Sequence, residues 1–202
     1  MKGDTQLSRK HRLRPIDILA FSQAGTDAGD EWGQVDANVV QRKALSNLES
    51  GIRQAGAEVV CGQLSVLNVY EIHLLQLFQN LVGNVKYRGA DAPQIEIAAS
   101  RTAGTWLFSV KDNGIGIEPQ YQKQIFGLFK RLHSNEQYSG TGVGLAICQK
   151  IVERYGGKIW VEAEAGSGST FFFTLPPKRR KIPSLPGAKL SMRDGQHPPA
   201  AN

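Results

Sequence analysis

Apolar residues recur at helical spacing in three long stretches of the chain, and in strand-like runs between them. From Ala37 to Gln54, the positions Val39, Val40, Ala44, Leu45, Leu48 and Ile52 share one side of a predicted helix, and Asp36 stands where a capping acceptor belongs. A second helix is predicted over Glu71 to Tyr87. A third lies in VGLAICQKIVERYGG (143–157), closed by Gly156 and Gly157. A shorter helix should open at Pro119 and run towards Phe126, since proline suits a first turn. PIDILAFSQAG (15–25) reads as the last turns of a further helix, and residues 26–36 as a polar linker.

AEVVCG (57–62) and LSVLNVY (64–70) read as short extended segments. QIEIAAS (94–100) and TWLFSVKD (105–112) form a hairpin around RTAG, and KIWVEAEA and STFFFTLP form another around AGSG. Helices intermixed with antiparallel hairpins predict an α+β fold: a two-layer sandwich with a mixed, mostly antiparallel sheet covered on one face by helices. A length of 202 residues suits one domain with trailing chain. The expected division is a basic N-terminal segment (1–33), a folded body (34–177) and a Pro-rich basic tail (178–202).

The net charge of +6 raises the question of nucleic acid, and its location answers it. Residues 1–14 carry +4 and residues 178–202 carry +5, so the body between them is slightly acidic at −3. The basic excess therefore lies outside the folded body, and a nucleic-acid partner is not expected. No apolar run reaches the roughly 20 residues that span a bilayer, and no signal-peptide pattern follows the start, so a cytoplasmic location is expected. Cys61 and Cys148 read as small core residues, too few for a disulfide framework or a metal site.

Four short segments carry candidate chemistry. In N80LVGN84 two asparagines four apart lie within about 40° of each other on the second helix, and amide oxygens can complete a Mg²⁺ shell. In D112NGIG116 a carboxylate able to accept from the exocyclic amine of adenine precedes glycines that let backbone approach a flat base. G140TGVGL145 feeds glycine-rich chain into a helix N-terminus, an arrangement suited to phosphate. G166SGSTF171 opens the last strand and would pass alone for an ordinary hairpin.

In this order and spacing the segments resemble the ATP-binding domain of sensor histidine kinases, within the superfamily of gyrase, heat-shock chaperone, histidine kinase and mismatch-repair ATPases. NLVGN resembles the N box, DNGIG the G1 box, IFGLF (125–129) the F box, GTGVGL the G2 box and GSGSTF the last glycine box, over about residues 34–177. The wording is similar to kinases of the phytochrome-like type. The resemblance implies a Bergerat-type ATP-binding fold, ATP and Mg²⁺ as cofactors, and transfer of the γ-phosphate to a histidine. It implies Asn84 as a Mg²⁺ ligand supported by Asn80, with Lys86 or Arg88 on phosphate. Asp112 would read adenine, and the nucleotide would be lined by Tyr87, Gly114, Gly116, Ile117, Gly140, Thr141, Gly142, Val143, Gly144, Leu145 and Thr170. Residues 127–140 would form a lid anchored by Phe126 and Phe129.

The ATP-hydrolysing members carry a glutamate one turn before the metal asparagine, where this chain has Asn80 beside Gln79. Without a base for water, a kinase is favoured over an ATPase. The phosphate-accepting histidine hairpin of the family is not recognised. His11 lies in basic KHRLRP without the acidic neighbour of an acceptor, His73 on the second helix reads as packing or surface, His133 falls in the lid and His197 in the tail. Transfer in trans is therefore expected, to a His-bearing dimerisation domain and onward to a response regulator; the alternative is an inactive nucleotide-binding module or kinase relic. The spacing Asn84, Val85, Lys86 is also one residue shorter than the family pattern. In a regular helix Lys86 then points roughly 200° from Asn84, and Arg88 only about 40°, so the expectation is that Arg88 takes the phosphate contact or that the helix end shifts to restore Lys86.

Overall fold

A computed structural model describes residue 21 and residues 32–84, 92–129 and 142–176. Helix α1 (Ala37–Ala55) is capped by Asp36, whose carboxylate accepts from the Asn38 backbone N–H at 2.8 Å. The Asn38 side-chain amide on the same carboxylate, then this backbone bond, hold the Asp36 carboxyl below its ordinary range. Helix α2 covers Glu71–Gly83 and α3 covers Gly144–Arg154. Among the described residues no helix is long and apolar enough to cross a membrane.

Five strands form the main sheet in the order β2 (Glu58–Cys61), β4 (Gln94–Thr102), β5 (Thr105–Asp112), β7 (Gly168–Leu175), β6 (Ile159–Glu164). β2 pairs with β4 in parallel and the other three pairings are antiparallel, which gives the expected mixed α+β architecture. Alternation along the strands decides the faces. Ile95, Ile97, Phe108, Val110, Phe171, Phe173 and Val161 enter one core with Phe78, Leu81, Ile147 and Ile151 from the helices. Phe108 stacks on Phe173 with centroids 4.8 Å apart, and Phe78 meets Phe108 edge-on at 6.3 Å.

Three expectations are corrected. The C-terminal end of the supposed linker is strand β1 (Gly33–Asp36), antiparallel to β3 (Val66–Val69) with Val35 opposite Leu67. Four residues with one large apolar side chain carry too little alternation to be read as a strand. The segment after Pro119 is a run of turns, with Tyr121 N–H on Glu118 O, Gln124 N–H on Tyr121 O and Gly127 N–H on Gln124 O, because three-residue closures replace a continuous α ladder. Cys148 is in the core as expected, whereas Cys61 is exposed on β2, the strand at one edge of the main sheet.

Candidate nucleotide site

Helices α2 and α3 pack antiparallel, because Asn80 near the end of α2 meets Gly144 at the start of α3, while His73 at the start of α2 meets Tyr155 just past the end of α3. The Asn80–Gly144 end is where the candidate chemistry gathers. A Cβ built on Gly144 would lie 3.1 Å from Asn80 Oδ1, so the absence of a side chain lets the amide and the α3 backbone come together. Val143 precedes the helix as its cap residue and offers no acceptor, so no side chain closes the first N–H groups of α3.

Asn84 is the C-cap of α2, its backbone N–H held by the carbonyls of Asn80, Leu81 and Val82. The side-chain Nδ2 atoms of Asn80 and Asn84 are both buried, and neither has a hydrogen-bond partner among the described residues. The Asn80 amide also faces the thiol of Cys148, one turn beyond Gly144, at a geometry short of a full hydrogen bond. Burial pushes that thiol up to about 12, against the smaller opposing effect of Asn80. Two buried amides without partners are costly in a folded chain unless something else pairs with them.

Asp112 ends β5 on the helix-covered face, in line with Val110 and Phe108, and is only 8% exposed. Its Oδ1 accepts from Gly114 N–H at 2.8 Å. Burial raises its carboxyl above the ordinary range, and the backbone N–H groups of Gly114 and Ser169 pull it partly back. The chain then crosses the end of the β6–β7 hairpin at close quarters. A Cβ on Gly116, at φ +70°, would fall 1.8 Å from Glu164 O, and one on Gly168, at φ +91°, 2.1 Å from Asp112 O. Only glycine permits either crossing, and Gly166 N–H seals them with a 2.7 Å bond to Ile115 O.

The predicted residues are thus distributed unevenly. Asn80, Asn84, Gly142, Gly144 and Leu145 lie at the end of the α2/α3 pair. Asp112, Gly114, Gly116 and Ile117 lie on β5 and the loop that follows it. Val143 and Ile117 are buried, at 2% and 9% exposure, and Phe126 is buried beside Ile125. Phe129 stands 54% exposed at φ +61°, with its backbone N–H donating to Gly142 O at 3.0 Å. Thr170 pairs with Lys111 and Glu162, both exposed, on the sheet face away from Asp112. Ser169, opposite Asp112 and 7% exposed, occupies the position expected of Thr170. Counting back by twos from the apolar residues Leu175, Phe173 and Phe171 would have selected it. Lys86, Tyr87, Arg88, Gly140 and Thr141, most of the predicted lid, and His11, His133 and His197 lie outside the described residues.

Residues 69–179 match the family described as histidine kinase-, DNA gyrase B-, and HSP90-like ATPase. Among curated relatives, the chain is 45% identical over 174 residues to cyanobacterial phytochrome A of Nostoc sp., covering 86% of this chain and 23% of that protein. It is 43% identical over 164 residues to phytochrome-like protein Cph1 of Synechocystis sp., covering 79% and 21%. The chain therefore spans about a fifth to a quarter of the length of these relatives. Among solved structures, the catalytic domain of histidine kinase ThkA superposes with a TM-score of 0.63 at 26% identity, covering 73% of this chain and 96% of that one. Full-length ShkA, in complex with AMPPNP, gives 0.67 at 28% identity, covering 79% and 34%. The chain belongs to the histidine kinase-, DNA gyrase B-, and HSP90-like ATPase family, and within it is homologous to the catalytic domains of sensor histidine kinases.

Proposed function

We propose that the cleft between the α2/α3 end and the loop after β5 binds Mg·ATP and that the chain passes the γ-phosphate to a histidine on a helical hairpin, as the ATP-binding half of a two-component kinase acting in the cytoplasm. The observation that carries this reading is the pair of buried Asn80 and Asn84 Nδ2 groups, with no hydrogen-bond partner among the described residues, beside an uncapped helix start, together with the buried Asp112 carboxylate at the end of β5. Asp112 would accept from the adenine amine, and the amides at the start of α3 would take phosphate oxygens. Asn84 would hold Mg²⁺ through its side-chain Oδ1, with phosphate and water as the other ligands, while its Nδ2, buried with no hydrogen-bond partner among the described residues, would donate to a phosphate oxygen; among the described residues no cluster of His, Cys, Asp and Glu competes for the metal. Bound Mg²⁺ would neutralise charge on the phosphates as ADP leaves.

In the transfer, a histidine nitrogen forms the bond to γ-phosphorus while the bond to the β-bridging oxygen breaks, and the imidazole proton goes to solvent. Asn80 and Gln79 cannot take a proton from water, which supports phosphotransfer over hydrolysis. A response regulator aspartate is the next acceptor proposed. Incubation with γ-labelled ATP, Mg²⁺ and a purified His-bearing hairpin from a phytochrome-like kinase tests the reading. An acid-labile, alkali-stable label on the hairpin is expected. Rapid release of inorganic phosphate with no labelled protein would contradict it. Within the same reading, Arg88 is proposed to contact phosphate in place of Lys86, so Arg88→Ala is expected to weaken ATP binding more than Lys86→Ala.

A further inference from the structure

The loop that follows Asp112 is held by two side-chain amides, those of Asn113 and Gln122. β5 ends at Asp112, opposite Ile95, and the backbone then leaves the ladder. At the next position the Asn113 side chain takes over the missing backbone pairing. Its Oδ1 accepts from Gln94 N–H at 2.7 Å, and its Nδ2 donates to Ala92 O at 3.0 Å. One acceptor and one donor are what a further peptide group of the strand would have offered.

On the other side of the loop, Gln122 Nε2 donates to Ala163 O at 2.7 Å and to Ile117 O at 3.2 Å, joining the turn segment after Pro119, the loop and strand β6. Residues 113–117 are thus fixed at the start by Asn113, in the middle by the Gly166 bond to Ile115 and the Gly116 crossing, and at the end by Gln122. Gly114, whose N–H sets the direction of the Asp112 carboxylate, lies inside this fixed stretch. Asn113 and Gln122 each have their donors engaged by main-chain carbonyls.

We infer that Asn113 and Gln122 are positioning residues for base selection: they fix the loop after β5 so that the Asp112 carboxylate is held in the one direction that accepts adenine and rejects guanine. The inference rests on the reading of Asp112 as the adenine contact. Adenine presents an exocyclic N–H donor where guanine presents a carbonyl oxygen, so a fixed carboxylate attracts one and repels the other. A carboxylate free to swing loses the second effect before the first.

The test is to titrate the wild-type chain, Asn113→Ala, Gln122→Ala, Gln122→Glu and Gln122→Lys with Mg·ATP and with Mg·GTP, with a melting curve for each. The wild type is expected to prefer ATP. Asn113→Ala, Gln122→Ala and Gln122→Glu are expected to reduce the ATP-to-GTP affinity ratio about tenfold, the scale of one lost hydrogen bond. Gln122→Lys, which keeps a donor of similar reach, is expected to retain most of the ratio. A merely structural role would lower the melting temperature and both affinities together, leaving the ratio intact, and that result would overturn the inference. If an alanine variant does not fold, Gln122→Glu against Gln122→Lys decides, because the first removes the donor and the second keeps one. A wild type that binds ATP and GTP equally would remove the reading of Asp112 itself, and the positioning role with it.

Discussion

The two ends of the α2/α3 pair solve opposite problems. At one end, Tyr155 Oη accepts from Tyr70 N–H at 3.0 Å and meets His73 Nδ1 at 2.8 Å, while Trp32 stacks on Tyr155 at 5.4 Å and meets Tyr70 edge-on. Polar atoms there are paired inside an aromatic shell. At the other end, the Nδ2 atoms of Asn80 and Asn84 are buried with no hydrogen-bond partner among the described residues and a valine stands where a cap belongs, and at the end of β5 the Asp112 carboxyl is buried above its ordinary pKa. The same two helices therefore carry a stabilising end and an end that gives up stability. Buried amide donors left unsatisfied beside an uncapped helix start are the mark expected of a site awaiting a ligand.

The sharpest way to break this comparison is to separate stability from binding at Asp112. Asp112→Asn keeps an acceptor for Gly114 N–H but removes the charge, and is expected to cost at least a hundredfold in ATP affinity. Its stability should move the other way. A carboxyl whose pKa is raised in the folded chain costs stability as pH rises past its ordinary value of 3.8 and through its folded one, so at pH 7 the variant should melt no lower than wild type. The difference should close as pH falls below the ordinary value. Melting curves at pH 7 and pH 3.5 check the sign; a variant markedly less stable at pH 7 would show that the charge is paired and not penalised.

Tyr155→Phe probes the opposite end. It leaves the buried Tyr70 N–H and the His73 ring without the hydroxyl and is expected to cost about 1–3 kcal/mol of stability, with ATP affinity changed less than twofold. Denaturant melts and nucleotide titration on the same sample check both halves. Gly144→Ala lies between the two cases. Alanine in place of glycine in a helix brings up to about 1 kcal/mol, but here its Cβ reaches Asn80 Oδ1 at 3.1 Å and displaces the amide by a few tenths of an ångström. Unchanged or slightly raised stability with a several-fold loss in Mg²⁺-dependent binding is expected. The smallest effect concerns the thiols. In the folded chain a disulfide reagent should titrate one thiol, Cys61, while Cys148, buried and pushed up to about 12, should react only on unfolding.

What could be read from the sequence follows the same division. The three long helices were legible because their apolar stripes run for three turns or more, and the strands of the main sheet because alternation persists through TWLFSVKD and STFFFTLP. The polar motifs were legible because glycine clusters at helix starts and strand ends have few uses. The misses share a physical cause, which is dependence on partners distant in sequence. β1 is a strand because Val66–Val69 lies beside it. The turns after Pro119 are tied to strand β6 through Gln122, whose side chain donates to Ala163 O, 41 residues away. That Ser169, and not Thr170, stands opposite Asp112 depends on the register between β5 and β7. Cys61 is exposed because β2 is an edge strand, which depends on the sheet order.

The most direct test of the central claim is an ATP titration of the whole chain, with and without Mg²⁺, beside Asn84→Ala and Asp112→Asn. Saturable binding that Mg²⁺ strengthens is predicted, with the Mg²⁺ effect lost in Asn84→Ala and binding itself lost in Asp112→Asn. A folded wild-type chain that binds no ATP, or binds it equally well in both variants, would contradict the assignment of this end of the helix pair as the nucleotide site.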